Sequence, residues 1–116
     1  MYNAQFTGRR NDNDRRYDIG GVYYKPNKYG SMNIINYLNV ESYVYGVIYA
    51  EMGNKYPLEA LKAQAVCARS YVVNSKSRFK EEGFDVCTTS ACQSYKGVAG
   101  EYPVTNQSVD ETKGEI

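Results

Sequence analysis

The 116-residue chain contains no histidine and no tryptophan. Without imidazole, neither a histidine-based nucleophile triad nor a two-histidine metal site is available. No run approaches the ~20 consecutive apolar residues of a membrane-spanning helix. An excess of one charge is also lacking: 14 Lys and Arg stand against 13 Asp and Glu, for a net charge of +1. That balance argues against a nucleic-acid binder, whose affinity rests on a basic excess. Cysteine is scarce and odd in number, at three, so at least one thiol is free or pairs outside the chain. The polar stretch from Met1 through Arg16 has no signal-peptide core. This is the expectation for a cytoplasmic chain or for a segment of a longer one.

What remains suits one modest domain. The length fits a single fold, and 42% hydrophobic residues supply a core. Thirteen tyrosines stand beside three phenylalanines. A tyrosine offers a flat apolar ring with a polar tip, suited to wet surfaces that bind sugars or single-stranded nucleic acid. A general tyrosine bias in composition is the plainer explanation.

Residues 1–16 carry the basic pairs Arg9-Arg10 and Arg15-Arg16 around Asn11 to Asp14, which predicts a polar, loop-rich N-terminal segment. Ile19 to Tyr24 and Met32 to Leu38 read as two strands of a hairpin, separated by turn signals at Lys25-Pro26-Asn27 and Tyr29-Gly30-Ser31. Val40, Val44, Val47, Ile48 and Glu51 then share one helix face, with Asn39 as N-cap and Gly53 as terminator. A longer helix is predicted over 57–80, starting at Pro57 and closed by Gly83, with Leu58, Leu61, Ala65, Ala68 and Val72 as its stripe. Phe84 to Ala91 reads as a loop, Gln93 to Val98 as a short strand, and Asn106 to Lys113 as a helix capped by Asn106 or Thr105 and ended by Gly114. The resulting fold class is α+β: a small antiparallel sheet or hairpin packed on a long central helix.

Local rules tend to fail at functional sites. At ~100° per residue, Glu51 falls near the middle of the Val44/Val47/Ile48 stripe. A carboxylate on an apolar face loses hydration, which raises its pKa toward the range of a general acid. On pattern alone, a frayed helix end turned to solvent or a structural ion pair is the plainer explanation. Arg69 falls close to the centre of the long helix's stripe, and a buried guanidinium requires an anionic partner. Glu51 is one candidate. Lys62 borders the same stripe, and Gln64 is a surface residue able to hydrogen-bond a ligand. Cys87 and Cys92, with four residues between them, fit a shared metal such as zinc, a disulfide, or two free thiols. Cys67, among alanines, reads as a small buried hydrophobe.

Four stretches occur in one order: Asn39 to Met52, Tyr56 to Tyr71, Gly83 to Tyr95 and Asn106 to Gly114. They include Ala50-Glu51-Met52, Pro57-Leu58-Glu59-Ala60-Leu61-Lys62-Ala63-Gln64, Ala68-Arg69-Ser70-Tyr71 and Cys92-Gln93-Ser94-Tyr95. Together they resemble the stage II sporulation protein D (SpoIID) family, which includes amidase-enhancer proteins of bacterial cell walls. The resemblance implies a lytic transglycosylase that cleaves the β-1,4 bond after N-acetylmuramic acid in peptide-stripped glycan strands and leaves a 1,6-anhydro end. It implies Glu51 as the acid and places Arg69 in the catalytic site, orienting Glu51 or binding sugar. Tyr71, Gln93 and Tyr95 become glycan contacts, with Gln64 beside them. No cofactor is required by this chemistry. Many relatives carry His just before the second loop cysteine, where this chain has Ala91, which weakens the zinc alternative at Cys87 and Cys92. The implied partners are peptidoglycan glycan strands and an amidase, with no nucleic acid, at an extracytoplasmic cell wall or sporulation septum. The family's domain runs on past Gly114, so residues 1–116 are expected to be part of a domain, with an incomplete core that favours self-association. A non-catalytic wall-binding or amidase-activating module is the alternative.

Overall fold

A computed structural model describes residues 2–5, 22–26, 30, 32–75, 79 and 84–116. Three strands, β1 (Tyr2–Gln5), β2 (Val22–Pro26) and β3 (Met32–Leu38), form an antiparallel sheet with β3 in the centre. β1 aligns Tyr2 with Leu38, and β2 aligns Tyr23 with Ile35. The predicted hairpin is present, and β3 has the expected limits. Ile19 to Gly21 lie outside the described residues. β1 departs from expectation, because it falls in the polar segment read as loop. Its backbone groups are satisfied by the free edge of β3, so pairing rather than its own composition makes it a strand.

Asn39 caps α1 (Val40–Tyr45), accepting the Ser42 N–H at 2.8 Å. The helix expected to run on to Met52 breaks at Gly46. There the ladder tightens to three-residue steps, Gly46 N–H to Tyr43 O and Val47 N–H to Val44 O, both 3.0 Å. It resumes as α2 (Ile48–Met52), which ends at Gly53 with φ +80°, a backbone shape that glycine adopts without strain. α3 (Leu58–Val73) begins just after Pro57 and stops at Asn74, short of the expected end at residue 80. Residues 76–78 and 80–83, including Gly83, lie outside the described residues. Phe79 and Phe84 pair across an antiparallel bridge with rings stacked at 4.8 Å.

The predicted strand at 93–98 does not form. Residues 93–96 have no regular structure, and Gly97–Gly100 make a 3₁₀ turn. α4 (Pro103–Asp110) starts earlier than expected. Pro103 suits its first turn, and the Thr105 hydroxyl accepts the Tyr102 N–H at 3.1 Å.

The chain is α+β. α3 packs against α1, α2 and α4, and β1 brings the sheet against α1. Leu38 from β3, Val44, Val47 and Ile48 around the α1–α2 break, and Leu61, Ala65, Ala68 and Val72 from α3 are buried in one core. Cys67 turns away from it and is exposed, against expectation. It lies off the stripe that α3 presents to the core. No helix among the described residues is long and apolar enough to cross a membrane.

Candidate active site

Glu51 sits on α2, one turn beyond the break at Gly46. It is exposed, so the burial expected from the helical wheel is not found. The wheel assumed one continuous helix, and the tightened turn at 46–47 changes the rotation of everything after it. Its Oε1 accepts the Ser94 backbone N–H at 2.6 Å. Among the described residues its Oε2 has no hydrogen-bond partner.

The segment that supplies Ser94 is anchored on both sides. Gln93 is 6% exposed, and both ends of its amide are engaged. Its Oε1 accepts the Tyr43 O–H at 2.9 Å, and its Nε2 donates to Ala68 O at 3.3 Å. The Tyr95 ring stacks on Tyr43, centroids 5.2 Å apart. Lys96 N–H donates to Gly46 O at 3.0 Å. A Cβ at Gly46 would stand 2.6 Å from Tyr95 Cε1, so only glycine lets the two segments meet. Burial raises the Tyr43 phenol well above its ordinary pKa, and nearby Tyr95 and Cys92 raise it further.

Arg69 belongs to a different cluster. It is 2% exposed, and its anionic partner is Glu41 on α1, not Glu51. Nε donates to Glu41 Oε2 at 2.9 Å and Nη2 to Oε1 at 2.8 Å, a two-pronged pair. Nη1 donates to Glu115 O at 2.8 Å, and Thr112 Oγ1 and Val109 O lie at 3.4–3.5 Å. The guanidinium thus ties α1, α3 and the segment after α4 together. Tyr71 and Gln64, both on α3, are half-buried, and Tyr71 packs against the core.

α2 also carries one half of an aromatic pair that pattern reading overlooked. Tyr49 on α2 and Tyr102 before α4 bring their rings to 4.3 Å, and Lys96 Nζ stands 5.5 Å from the Tyr49 centroid. A hydrogen bond with Tyr49 raises the Tyr102 phenol above its usual pKa, and the Tyr49 charge adds to this. Glu41 and Tyr43 were missed as well. A first-turn glutamate looks like an ordinary dipole partner, and nothing local marks Tyr43 as the donor to Gln93.

Cys87 and Cys92 are half-buried thiols with their Sγ atoms 2.7 Å apart. Burial opposes ionisation of Cys87, but hydrogen bonds from Cys92, Thr89 and the backbone together lower its pKa. Zinc takes four ligands in a structural site. Among the described residues no group of three or more His, Cys, Asp or Glu comes together to complete such a set.

A family model described as "SpoIID: Stage II sporulation protein" matches residues 28–116. The chain belongs to the SpoIID family. It is 41% identical over 87 residues to an uncharacterized protein of Brachyspira hyodysenteriae, covering 74% of this chain and 24% of that protein. It is also 41% identical over 71 residues to the amidase enhancer of Bacillus subtilis, covering 61% of this chain and 9% of that protein. The chain therefore spans a quarter or less of the length of these relatives. No solved structure matches it.

Proposed function

We propose that this SpoIID chain carries the catalytic acid of a peptidoglycan lytic transglycosylase, acting on peptide-stripped glycan strands outside the cytoplasm. The supporting observation is Glu51: an exposed carboxylate on α2, held through one oxygen by the Ser94 N–H. In this scheme Glu51 acts as the general acid through Oε2. It protonates the glycosidic oxygen, the C1–O bond breaks, and an oxocarbenium-like centre develops at C1 of the muramic acid. The sugar's own C6 hydroxyl oxygen then bonds to C1. Glu51, now ionised, takes the hydroxyl proton, and the acid is regenerated without consuming water. One carboxylate serves both steps, whereas the hydrolases use a pair.

Tyr49 and Tyr102 offer ring faces to the sugar. Tyr71, Tyr95 and Gln64 remain candidate glycan contacts. Gln93 acts beneath the surface, positioning Ser94 and Tyr95 through its bonds to Tyr43 and Ala68. Arg69 acts through the fold, holding α1 to α3 from the side of Glu41.

A digest of peptide-stripped glycan strands, read by mass spectrometry, tests this. The expected products carry 1,6-anhydro ends and vanish in Glu51→Gln. Reducing-end products would refute the single-carboxylate scheme. The name of the Bacillus subtilis relative favours a second reading, stimulation of an amidase without cleavage. In that case Glu51→Gln would stimulate an added amidase as well as the parent chain does, and neither would release anhydro ends.

A further inference from the structure

Residues 87–92 are folded into a closed loop by backbone hydrogen bonds. Cys92 N–H donates to Thr89 O at 3.0 Å, and Tyr95 N–H donates to Thr88 O at 3.2 Å. Cys87 N–H donates to Cys92 Sγ at 3.2 Å, and the two sulfurs are in contact. We propose that Cys87 and Cys92 form a reversible intramolecular disulfide that fastens the segment carrying Gln93, Ser94 and Tyr95 against α1 and α2.

Three observations carry this inference independently of the reaction proposed above. The sulfurs already meet, so closure needs little backbone movement. Cys87 Sγ also lies 3.4 Å from Thr89 Oγ1, so the loop holds the two thiols side by side. The segment that follows directly makes the Tyr43, Ala68, Gly46 and Glu51 contacts, so a bond at its base restrains the Ser94 N–H. Cys67 is exposed on α3 and serves as an internal control.

The step is thiol–disulfide exchange with an external disulfide. The Cys87 thiolate, favoured by its hydrogen bonds, attacks one sulfur of the oxidant. A mixed disulfide forms and one oxidant thiolate leaves. The Cys92 thiolate then attacks the Cys87 sulfur, the Cys87–Cys92 bond forms, and the second oxidant thiolate leaves. The two cysteines give up two electrons and two protons, and the oxidant ends as two thiols.

The test equilibrates the chain in buffers of reduced and oxidised glutathione, then blocks free thiols with an alkylating reagent and maps the peptides. The expected result is joint loss of alkylation at Cys87 and Cys92, a peptide link between them, and full return on reduction. Cys67 follows neither. Persistent glutathione on either loop cysteine, or independent alkylation of the two, would overturn the proposal. So would joint protection by added zinc in the reduced chain. Amide hydrogen exchange supplies the second measurement. Exchange across 93–96 slows on oxidation in the parent chain and stays constant in Cys87→Ser/Cys92→Ser. Equal exchange in both redox states of the parent would overturn the fastening role.

Discussion

Replacing Glu41 by alanine should destabilise this fold more than replacing Arg69, although the two form one pair. The Arg69 side chain is 2% exposed and the Glu41 side chain 25%. Glu41→Ala removes the two bonds at 2.8 and 2.9 Å and leaves a guanidinium in the core. The remaining acceptors, Glu115 O, Val109 O and Thr112 Oγ1, are uncharged. Leaving one buried charge unpaired costs about 3–5 kcal/mol, a large part of the ~5–15 kcal/mol that holds a domain together. Arg69→Met keeps the packing and leaves a carboxylate that water can reach. Its cost is about 1–3 kcal/mol, set by the lost hydrogen bonds. Glu41→Leu/Arg69→Met removes both charges and should lie near the parent, because a buried pair and its apolar replacement are often close in energy. Urea midpoints at neutral pH with constant slope give the ranking. If Glu41→Ala costs less than ~1 kcal/mol, as for a surface pair, or if the single effects simply add, the reasoning fails.

Three further outcomes are expected. Tyr43 has its folded-state pKa raised, so its stabilising contribution is complete below the unfolded value of 10.0 and is lost as pH rises above it. Stability should therefore fall in alkali with a one-proton slope of ~1.4 kcal/mol per pH unit. In Tyr43→Phe that increment disappears, while stability at neutral pH falls by roughly 1–3 kcal/mol as Gln93 Oε1 loses its donor; an unchanged alkaline limb in urea titrations would contradict this. Gly46→Ala should push Tyr95 aside and cost about 1–3 kcal/mol, and faster amide exchange at Ser94 would report the loosened segment. Asn36 is fully buried on β3, and among the described residues neither its Oδ1 nor its Nδ2 has a hydrogen-bond partner; Asn36→Leu should raise the thermal midpoint by relieving a penalty of about 1–3 kcal/mol, and a lower midpoint would argue that the amide is needed.

Elements set by local signals were legible in the sequence. β3 follows from its run of Ile34, Ile35, Tyr37 and Leu38, and α1 from Asn39 as its cap. The starts of α3 and the end of α2 follow from Pro57 and Gly53. Features set by distant partners were not. β1 exists because β3 has an edge to offer. The break at Gly46 is held by Lys96 and Tyr95, some fifty residues further on. Arg69 signalled a buried cation correctly, but two glutamates, Glu41 and Glu51, precede it on what read as one helix. Only the break decides between them. Gln93 drew notice through its motif, yet its amide faces Tyr43 and Ala68 rather than open solvent. The proximity of Cys87 to Cys92 was readable from spacing, whereas the hydrogen bonds from Thr89 and the loop backbone that hold the two sulfurs together were not.

The bond from Ser94 to Glu51 spans 43 residues, and that from Tyr43 to Gln93 spans 50. α3, by contrast, closes its own ladder within sixteen consecutive residues. Loop-closure entropy must be met before such distant contacts stabilise anything. During synthesis, then, Glu51 emerges on the chain well before its orienting N–H does. A nascent chain ending before residue 94 carries the carboxylate but not the N–H that holds it. Order of assembly therefore separates having the carboxylate from having the site, and it places the maturation of the site among the last events of folding.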